Sequence, residues 1–247
     1  MEIRELIGKK MLYFDGGLGT LLQAQGLQPG EEPERWNIDH PDIIQNVHFS
    51  YYQAGCHFVT TDSLNCNELN FPDDGPYSIE SIARAAVNNA RGAREQMNAL
   101  DGGAEPRFIA FSIGPLGRLL KPMGTLAFDD AYRIFARTVR AAAAAGADML
   151  HFETFNDLYE VKAAVLAAKE NSDLPVLVTV TFDEKVAIFR FGQTTMISCL
   201  VVGKYPDYRT IIPKNNSNIL KINRVQLLNT VRRIAVCSPK ASNHIKF

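Results

Sequence analysis

The most distinctive chemistry in the sequence lies near its start, where an acid is followed by two glycines. The segment MLYFDGGLGT (11–20) places Asp15, Gly16 and Gly17 directly after a short apolar run. It is neither a G-x-G-x-x-G dinucleotide fingerprint nor a P-loop, and an acid there would repel phosphate. A carboxylate beside backbone N–H groups suits a ligand with both an ammonium and a carboxylate, which describes an amino acid. The alternative is that Asp15 only caps the next helix and the glycines only form the turn.

Two further acids follow apolar runs at positions where a strand would end. Asp62 lies in Thr-Thr-Asp-Ser (60–63), and Glu153 lies in ADMLHFET (147–154). A glutamate inside an apolar strand is costly unless it is paired or faces a wet rim, which favours a functional role for Glu153. His151, two residues earlier on the same face, is interpreted as a core histidine whose hydrogen bonds are satisfied.

Five short apolar runs alternate with helical patterns over residues 1–183. Each is almost continuously apolar and bounded by turn residues, which is typical of a parallel strand covered on both faces. The runs are MLYFD (11–15), CHFVTTD (56–62), RFIAFSIG (107–114), ADMLHFET (147–154) and PVLVTVTF (175–182). This alternation predicts an α/β fold with a parallel sheet, either a doubly wound open sheet or a (β/α)8 barrel. Both architectures place functional residues at the carboxyl ends of the strands.

Particular residues mark where the intervening helices begin and end. Pro41 predicts the first turn of one helix, and Ser78 predicts the cap of another. Gly146 predicts the end of a third helix. The sequence Asp157-Leu-Tyr-Glu160 has the form of a capping box at the start of a fourth.

The charge balance divides the chain near residue 185. Residues 1–185 carry a net charge of −10, whereas residues 186–247 hold ten Lys and Arg side chains and one acid, Asp207, for a net charge of +9. A change of this size predicts a boundary, so we expect two parts, residues 1–185 and a basic tail of residues 186–247. Within the tail, the segment FRFGQTTMISCLVV (189–202) is expected to form strand structure.

The overall composition, 46% hydrophobic and 21% charged, is typical of a soluble globular protein. No apolar stretch is long enough to span a membrane, and the amino terminus lacks the apolar segment of a secretory signal. The cysteines, at positions 56, 66, 199 and 237, do not form a disulfide framework. We therefore expect a reducing, cytoplasmic setting. The tail carries no nucleic-acid-binding motif, which disfavours nucleic acid as a partner.

Taken together, several segments resemble the homocysteine S-methyltransferase domain family, most closely the N-terminal homocysteine-binding module of cobalamin-dependent methionine synthases. The similar segments are FDGGLGT (14–20), YYQAGCHFVTTDSLNCN (51–67), SIGPLGRLLKPMG (112–124), AAGADMLHFETFNDLYEVKAAVLAAKE (144–170) and LPVLVTVTFDE (174–184). They occur in order over residues 10–185. The resemblance implies a (β/α)8 barrel of the TIM type that is incomplete here, with five βα units followed by an unrelated-looking tail.

The resemblance also implies an activity, the transfer of a methyl group to the sulfur of homocysteine to form methionine. In the family, the first-strand Asp-Gly-Gly and the fourth-strand Glu bind the amino-acid end of homocysteine. Those positions correspond to Asp15, Gly16, Gly17 and Glu153. Asp62 stands where the family usually has asparagine, and it is included as a substrate-binding residue.

The family is further expected to hold zinc with three cysteines, leaving the fourth position to the substrate sulfur. Zinc keeps that sulfur as the nucleophilic thiolate. The family pattern includes a Gly-Gly-Cys-Cys stretch, and no adjacent cysteine pair occurs in this sequence. We therefore assign no metal ligand and no catalytic residue, and we expect impaired methyl transfer. Cobalamin and methyltetrahydrofolate, the implied methyl source, would be bound by other domains or chains.

Three interpretations of the chain follow from these observations. The first is a partial homocysteine methyltransferase module whose family sequence ends near residue 185, with a tail that a frameshift or a misjoined reading frame would produce. The second is a cobalamin-independent homocysteine methyltransferase that uses a small methyl donor. The third is a non-catalytic fragment that binds an amino acid.

Overall fold

The structure is a computed structural model that describes residues 3–181 in full, together with the strand backbone of residues 186–191 and 194–199. The helices are α1 (Ile3–Leu6), α2 (Leu18–Ala24), α3 (Trp36–Asp39), α4 (Pro41–Gln53), α5 (Ile79–Asp101), α6 (Phe128–Ala145) and α7 (Leu158–Asn171), with a 3-10 helix over Pro33–Arg35. The strands are β1 (Phe58–Thr60), β2 (Phe108–Ile113), β3 (Met149–Phe155), β4 (Val176–Val180), β5 (Val186–Phe191) and β6 (Thr194–Cys199). No helix in this part of the chain combines the length and apolar character needed to cross a bilayer.

Strands β1 to β4 form one parallel sheet in which each strand lies beside its neighbour in the sequence. The register places Val59 opposite Ile109 and Ser112 opposite His151. Helices α5, α6 and α7 connect successive strands. Within the described residues the strand order never reverses, whereas a doubly wound sheet reverses at its switch point. The order is therefore that of a barrel, and the doubly wound alternative is wrong.

The predicted first strand, residues 11–15, is reduced to a parallel bridge between Phe14 and Phe58. The Asp15 N–H donates to the Phe58 carbonyl at 3.1 Å, and the Phe58 N–H donates to the Tyr13 carbonyl at 3.0 Å. A closed barrel would give this segment a strand on each side, but among residues 3–181 it pairs only with β1. The one-sided pairing is still enough to fix where Asp15 lies.

Three of the predicted helix boundaries are confirmed. Helix α4 begins at Pro41. Helix α5 is capped by Ser78, whose hydroxyl accepts the Ser81 N–H in a capping box. Gly146 follows the last residue of α6 with a φ of +83°, a left-handed conformation that glycine adopts at little cost. These boundaries set where the next strand enters the sheet.

The start of α7 differs from the prediction. Asp157 does cap the helix, because its carboxylate accepts the Tyr159 N–H at 2.8 Å. Glu160, expected to complete the capping box, is instead buried and accepts the Leu116 N–H at 2.7 Å. A backbone donor in the loop after β2 needs a partner away from water, and Glu160 supplies it. The glutamate therefore ties that loop to α7.

The outer face of the sheet packs against the helices in the main hydrophobic core. Its central residues are all fully buried: Val59, Ile109, Phe111, Leu150 and Phe152. The inner face is apolar only near the amino ends of the strands, where α1 covers a second cluster. That cluster contains Phe58, Phe108, Ala110 and Met149. Beyond it, towards the carboxyl ends, the inward side chains become polar.

Strands β5 and β6 form an antiparallel pair, with Val186 opposite Cys199 and Phe191 opposite Thr194. The expected strand structure over residues 189–202 is thus present as two strands, of which the first begins three residues earlier. Residues 200–247 lie outside the described residues, and so do the expectations that concern them.

The hydroxyl of Tyr52 links α4 to the sheet, and mutation can test its contribution. It donates to the Phe108 carbonyl at 2.9 Å, and Tyr52 is 1% exposed. Tyr52→Phe removes a buried hydrogen bond between α4 and the sheet, so we expect the free energy of unfolding to fall by about 1 kcal/mol. Urea denaturation measures the change, and Tyr159→Phe, at an exposed position, should be neutral. Equal stabilities of Tyr52→Phe and wild type would show that the bond contributes nothing.

Candidate functional site

A cavity of about 590 Å³ opens at the carboxyl ends of the parallel strands, and we call it the carboxylate cavity. All five sequence-predicted binding residues line it: Asp15, Gly16, Gly17, Asp62 and Glu153. They come from three separate segments of the chain. Parallel strands bring their carboxyl ends to the same edge of the sheet, which is why segments distant in sequence meet here.

Asp15 is held in place by one residue of β1. Its two carboxylate oxygens accept hydrogen bonds from the backbone N–H and the hydroxyl of Thr60, each at 2.7 Å. Burial, with a smaller contribution from the negative charge of Glu153, raises the pKa of Asp15 to about 6 against the lowering effect of the two Thr60 donors. Asp15 is therefore mostly ionised at pH 7 and becomes neutral when the pH falls below about 6.

The two glycines after Asp15 turn the chain into α2, which begins at Leu18. The hydroxyl of Tyr51 donates to the Gly17 carbonyl at 3.1 Å. A Cβ atom on Gly16 would lie 3.1 Å from that same hydroxyl oxygen, which is tighter than side chains normally pack. A side chain at position 16 would therefore require the Tyr51 hydroxyl to move by a few tenths of an ångström, and glycine keeps the backbone at the edge of the cavity bare.

Glu153 lies where β3 departs from regular strand geometry. The pairing of β3 with β4 shifts register between Phe152 and Phe155, and Thr154 has a φ of +63°. A non-glycine residue in this region costs roughly 1–3 kcal/mol, and such strain is concentrated at functional sites. Glu153 faces the cavity from the same side of β3 as His151, and the Ser112 hydroxyl donates to its carboxylate.

Asp62 and a second acid, Glu34, occupy another part of the cavity wall. Asp62 is 6% exposed, and its Oδ2 has no hydrogen-bond partner among the described residues. Burial, reinforced by the nearby Glu34 charge, raises the pKa of Asp62 to about 8. The Asn37 side chain donates to the Asp62 backbone carbonyl at 2.6 Å and so fixes this segment.

Sequence reasoning missed Glu34. It belongs to the segment GEEPER (30–35), whose composition is typical of a solvated loop. In the structure Glu34 is 1% exposed and accepts the Asn65 N–H at 2.8 Å, while its other oxygen has no partner among the described residues. Burial raises the pKa of Glu34 as well. Pro33 predicts the start of the helical turn that contains Glu34, but it does not indicate that Glu34 is buried.

His151 lies on β3, two residues before Glu153, and also lines the cavity. Its ring packs at a tilt against Phe14, with 5.5 Å between ring centroids, and the residue is 8% exposed. The interpretation of His151 as a satisfied core histidine is wrong, because neither ring nitrogen has a hydrogen-bond partner among the described residues. Burial lowers the pKa of His151, although the Glu153 charge opposes this, so the ring is neutral at pH 7.

The ionisable side chains of the cavity wall, apart from the neutral His151, are all acidic. They are Asp15, Glu34, Asp62 and Glu153, and no lysine or arginine lines the cavity among the described residues. Asp62, whose pKa is about 8, is mostly protonated at pH 7 and adds little negative charge. Like charges in a partly desolvated space raise one another's free energy, and a bound cation relieves that repulsion. The cavity is therefore suited to a ligand with a positively charged group.

The zinc site implied by the family has no counterpart in the part of the chain that the structure describes. No group of three His, Cys, Asp or Glu side chains there is placed to hold a metal ion. Cys66, which follows β1 in the sequence, points into the main core, and burial raises the pKa of its thiol. Neither Cys66 nor Cys56 lines the cavity. The residues of this region do not fit a three-cysteine zinc site, and the side chains of Cys199 and Cys237 lie outside the described residues.

Solved structures with this fold include homocysteine methyltransferase MmuM from Escherichia coli. Its oxidized and metallated forms each have a TM-score of 0.67 and 24% sequence identity, over 74% of this chain and 66% or 67% of that chain. The apo form has a TM-score of 0.61. This likeness confirms an α/β fold of the TIM-barrel type, of which the described residues form only part.

Curated relatives include the methionine synthases of Mycobacterium tuberculosis (strain ATCC 25618 / H37Rv) and Mycobacterium leprae (strain TN). They are 27% and 26% identical to this chain over 194 and 196 residues. Each alignment covers 74% of this chain but only 16% of the relative. The chain therefore spans about one sixth of the length of these proteins.

A family model described as homocysteine S-methyltransferase matches residues 12–211. The match includes every predicted binding residue. It also continues past residue 185, and the boundary expected there from composition stays a prediction. Because the matched region is most of the 247 residues, the chain belongs to the homocysteine S-methyltransferase family.

Proposed function

We propose that the carboxylate cavity binds homocysteine and that the chain is a homocysteine methyltransferase module, which directs a methyl group to the sulfur to form methionine. The observation that carries the proposal is the convergence of Asp15 and Glu153, from separate strand ends, on one cavity beside the bare backbone of Gly16 and Gly17. Membership of the family supports homocysteine as the ligand.

The ammonium group of homocysteine is proposed to lie between Asp15 and Glu153. Thr60 and Ser112 already orient the two carboxylates, and each carboxylate oxygen has a further lone pair to offer. Little side-chain entropy is lost on binding, because both acids are fixed before the ligand arrives. The cation also offsets the mutual repulsion of the two acids.

The carboxylate of the ligand is proposed to face the backbone of Gly16 and Gly17. The first N–H groups of a helix have no partner within the helix, and α2 begins directly after Gly17. The sulfur-bearing side chain then extends along the cavity, where Leu64 and Leu177 provide apolar wall. Asp62 remains in the proposed binding set, because its free oxygen can accept a hydrogen bond from the ligand.

Methyl transfer requires the sulfur as a thiolate, which a zinc site would supply. The described residues do not provide that site, and the sequence has no adjacent cysteine pair. We propose that this chain binds homocysteine but transfers methyl groups only weakly by itself. Cobalamin and methyltetrahydrofolate are the proposed methyl source, on other domains or chains, and the proposed location is the cytoplasm.

A non-catalytic amino-acid binder is the second candidate function. It is favoured by a cavity that has its acidic groups in place while no metal-binding cluster lies among the described residues. Calorimetry with homocysteine, with and without zinc, separates the two functions when combined with an assay for methionine. Zinc-independent binding without methionine formation supports the binder. Methionine formation at the rate of a complete enzyme would overturn both the binder and the proposed impairment.

Neutralising either central acid tests the proposed binding mode. Asp15→Asn and Glu153→Gln keep the size and one acceptor oxygen of each side chain but remove the charge that faces the ammonium. In Asp15→Asn the amide nitrogen can donate to the Thr60 hydroxyl, which now accepts. We expect each to weaken homocysteine binding about 10- to 100-fold, since hydrogen bonds to charged groups contribute about 1.5–3 kcal/mol. Isothermal titration calorimetry at pH 7.5 measures the change.

The matched control for these variants is Asp130→Asn, which neutralises an exposed acid in the first turn of α6. It should leave the affinity unchanged. Homocysteine binding with wild-type affinity in both Asp15→Asn and Glu153→Gln would contradict the proposed mode.

The affinity for homocysteine should also depend on pH. The pKa of Asp15 is about 6 in the free protein, so the carboxylate that faces the ligand is protonated as the pH falls from 7 to 5. We expect binding to weaken about 10-fold between these two values, because roughly a tenth of Asp15 stays ionised one unit below its pKa. Titrations at several pH values measure this, and Asp15→Asn should flatten the profile. A flat wild-type profile would argue against an ionised Asp15 in the complex.

A further inference from the structure

The segment that carries Asp15, residues 11–15, is attached to the sheet partly through a histidine side chain. The Tyr13 N–H donates to Nδ1 of His57 at 3.2 Å, and the His57 N–H donates to the Tyr13 carbonyl at 2.8 Å. The two rings stack with 5.8 Å between centroids, and His57 is 6% exposed. Among residues 3–181, segment 11–15 pairs with β1 alone. The bond to His57 therefore bears directly on where Asp15 lies.

The same pair of bonds occurs between β2 and β3, with a different side chain. The Asp148 N–H donates to the Ile109 carbonyl at 3.0 Å, and the Ile109 N–H donates to Oδ2 of Asp148 at 2.7 Å. Asp148 stands directly before β3, as His57 stands directly before β1. A carboxyl group keeps acceptor oxygens in both protonation states, whereas an imidazole loses its one acceptor nitrogen when it gains a proton. Protonation of the side chain thus breaks only the bond made by His57.

The groups around the ring fix its neutral tautomer. Nε2 lies 3.6 Å from the Glu105 carboxylate, so this nitrogen carries the proton while Nδ1 stays free to accept. Glu105 also pairs with Lys10, and Arg107, in the same loop before β2, pairs with Asp101 at the end of α5. Burial, followed by the charge of Lys10, lowers the pKa of His57, and Arg107 acts in the same direction against Glu105. The ring is therefore neutral at pH 7.

We propose that His57 is a positioning residue for Asp15: its neutral ring holds segment 11–15 against β1, and protonation of Nδ1 releases the segment. A protonated ring has no acceptor for the Tyr13 N–H and turns a second N–H group towards it. In the released segment the ring returns to water and to its ordinary pKa of about 6.5. Because the pKa is lower in the attached segment, proton uptake favours release, increasingly as the pH falls below about 6.5. The consequence for ligand binding rests on the proposed function of Asp15.

Hydrogen exchange of the Tyr13 amide in the full chain tests the proposal without any ligand. The protection factor compares an amide with the same amide in an unfolded chain, which removes the intrinsic pH dependence of exchange. We expect the protection of Tyr13 to fall about 10-fold between pH 7 and pH 5, relative to that of Ile109, because release takes up a proton. Ile109 is the internal control, since its N–H has a carboxyl acceptor. A constant ratio of the two protection factors would overturn the proposal.

Two variants separate the acceptor from the rest of the ring. His57→Asn keeps an uncharged acceptor oxygen close to the position of Nδ1, whereas His57→Leu keeps the bulk without an acceptor. We expect His57→Asn to retain the protection of Tyr13 at pH 7 within about 3-fold and to abolish its pH dependence. His57→Leu should lower that protection about 10-fold at pH 7, because the N–H loses its partner. A pH dependence that persists in His57→Asn would overturn the proposal, and this comparison does not require His57→Leu to fold.

The tautomer of His57 is a second measurement on the unmutated chain. With 15N-labelled histidine at pH 7.5, NMR should show His57 with the proton on Nε2 and with Nδ1 unprotonated. A ring with its proton on Nδ1 could not accept the Tyr13 N–H, and this result would overturn the proposal.

Calorimetry with homocysteine connects the bond to the carboxylate cavity. At pH 7.5, His57→Leu should bind about 3- to 10-fold more weakly than His57→Asn, because Asp15 must then be ordered when the ligand binds. Equal affinities of the two variants would overturn the positioning of Asp15 by His57. If the wild-type chain fails to bind homocysteine, the proposed function falls, while the exchange experiment still decides whether His57 holds the segment.

Discussion

The partial burial of carboxyl groups that face one cavity at the carboxyl edge of the sheet is the constraint on which the site depends. Asp15 and Glu153 face one cavity, and no lysine or arginine among the described residues lines it. Burial and repulsion make the ionised form of Asp15 costly, which is why its pKa is raised to about 6. A ligand cation stabilises the ionised form of Asp15. The unfavourable electrostatic free energy of the empty site is therefore relieved when the ligand binds.

The fold makes this arrangement possible by fixing each acid independently. Sequential parallel pairing brings the strand ends to one edge, Thr60 holds both oxygens of Asp15, and the Ser112 hydroxyl donates to the carboxylate of Glu153. Flexible acids would move apart and remain solvated, and they would then bind a cation weakly. The strained backbone of Thr154 lies directly after Glu153, near the end of the strand that carries both Glu153 and His151.

The elements and the central acids could be predicted from the sequence because their signals are local. Pro41 and Gly146 act through their own backbone preferences, and the convergence of Asp15 with Glu153 follows from parallel topology. Glu34 could not be predicted, since its burial depends on an N–H group supplied by a loop 31 residues further along the chain. The environment of His151 was equally inaccessible, because a strand pattern shows that a side chain faces inward but not whether a partner meets it there.

The most direct test of whether a bound ammonium stabilises the ionised form of Asp15 is the pKa of that residue, measured by carboxyl 13C NMR with and without saturating homocysteine. The free chain should show a value near 6, and the complex should show a clearly lower one, because the bound ammonium stabilises the carboxylate. A value near 4 in the free chain, or one that the ligand leaves unchanged, would contradict a cation between Asp15 and Glu153.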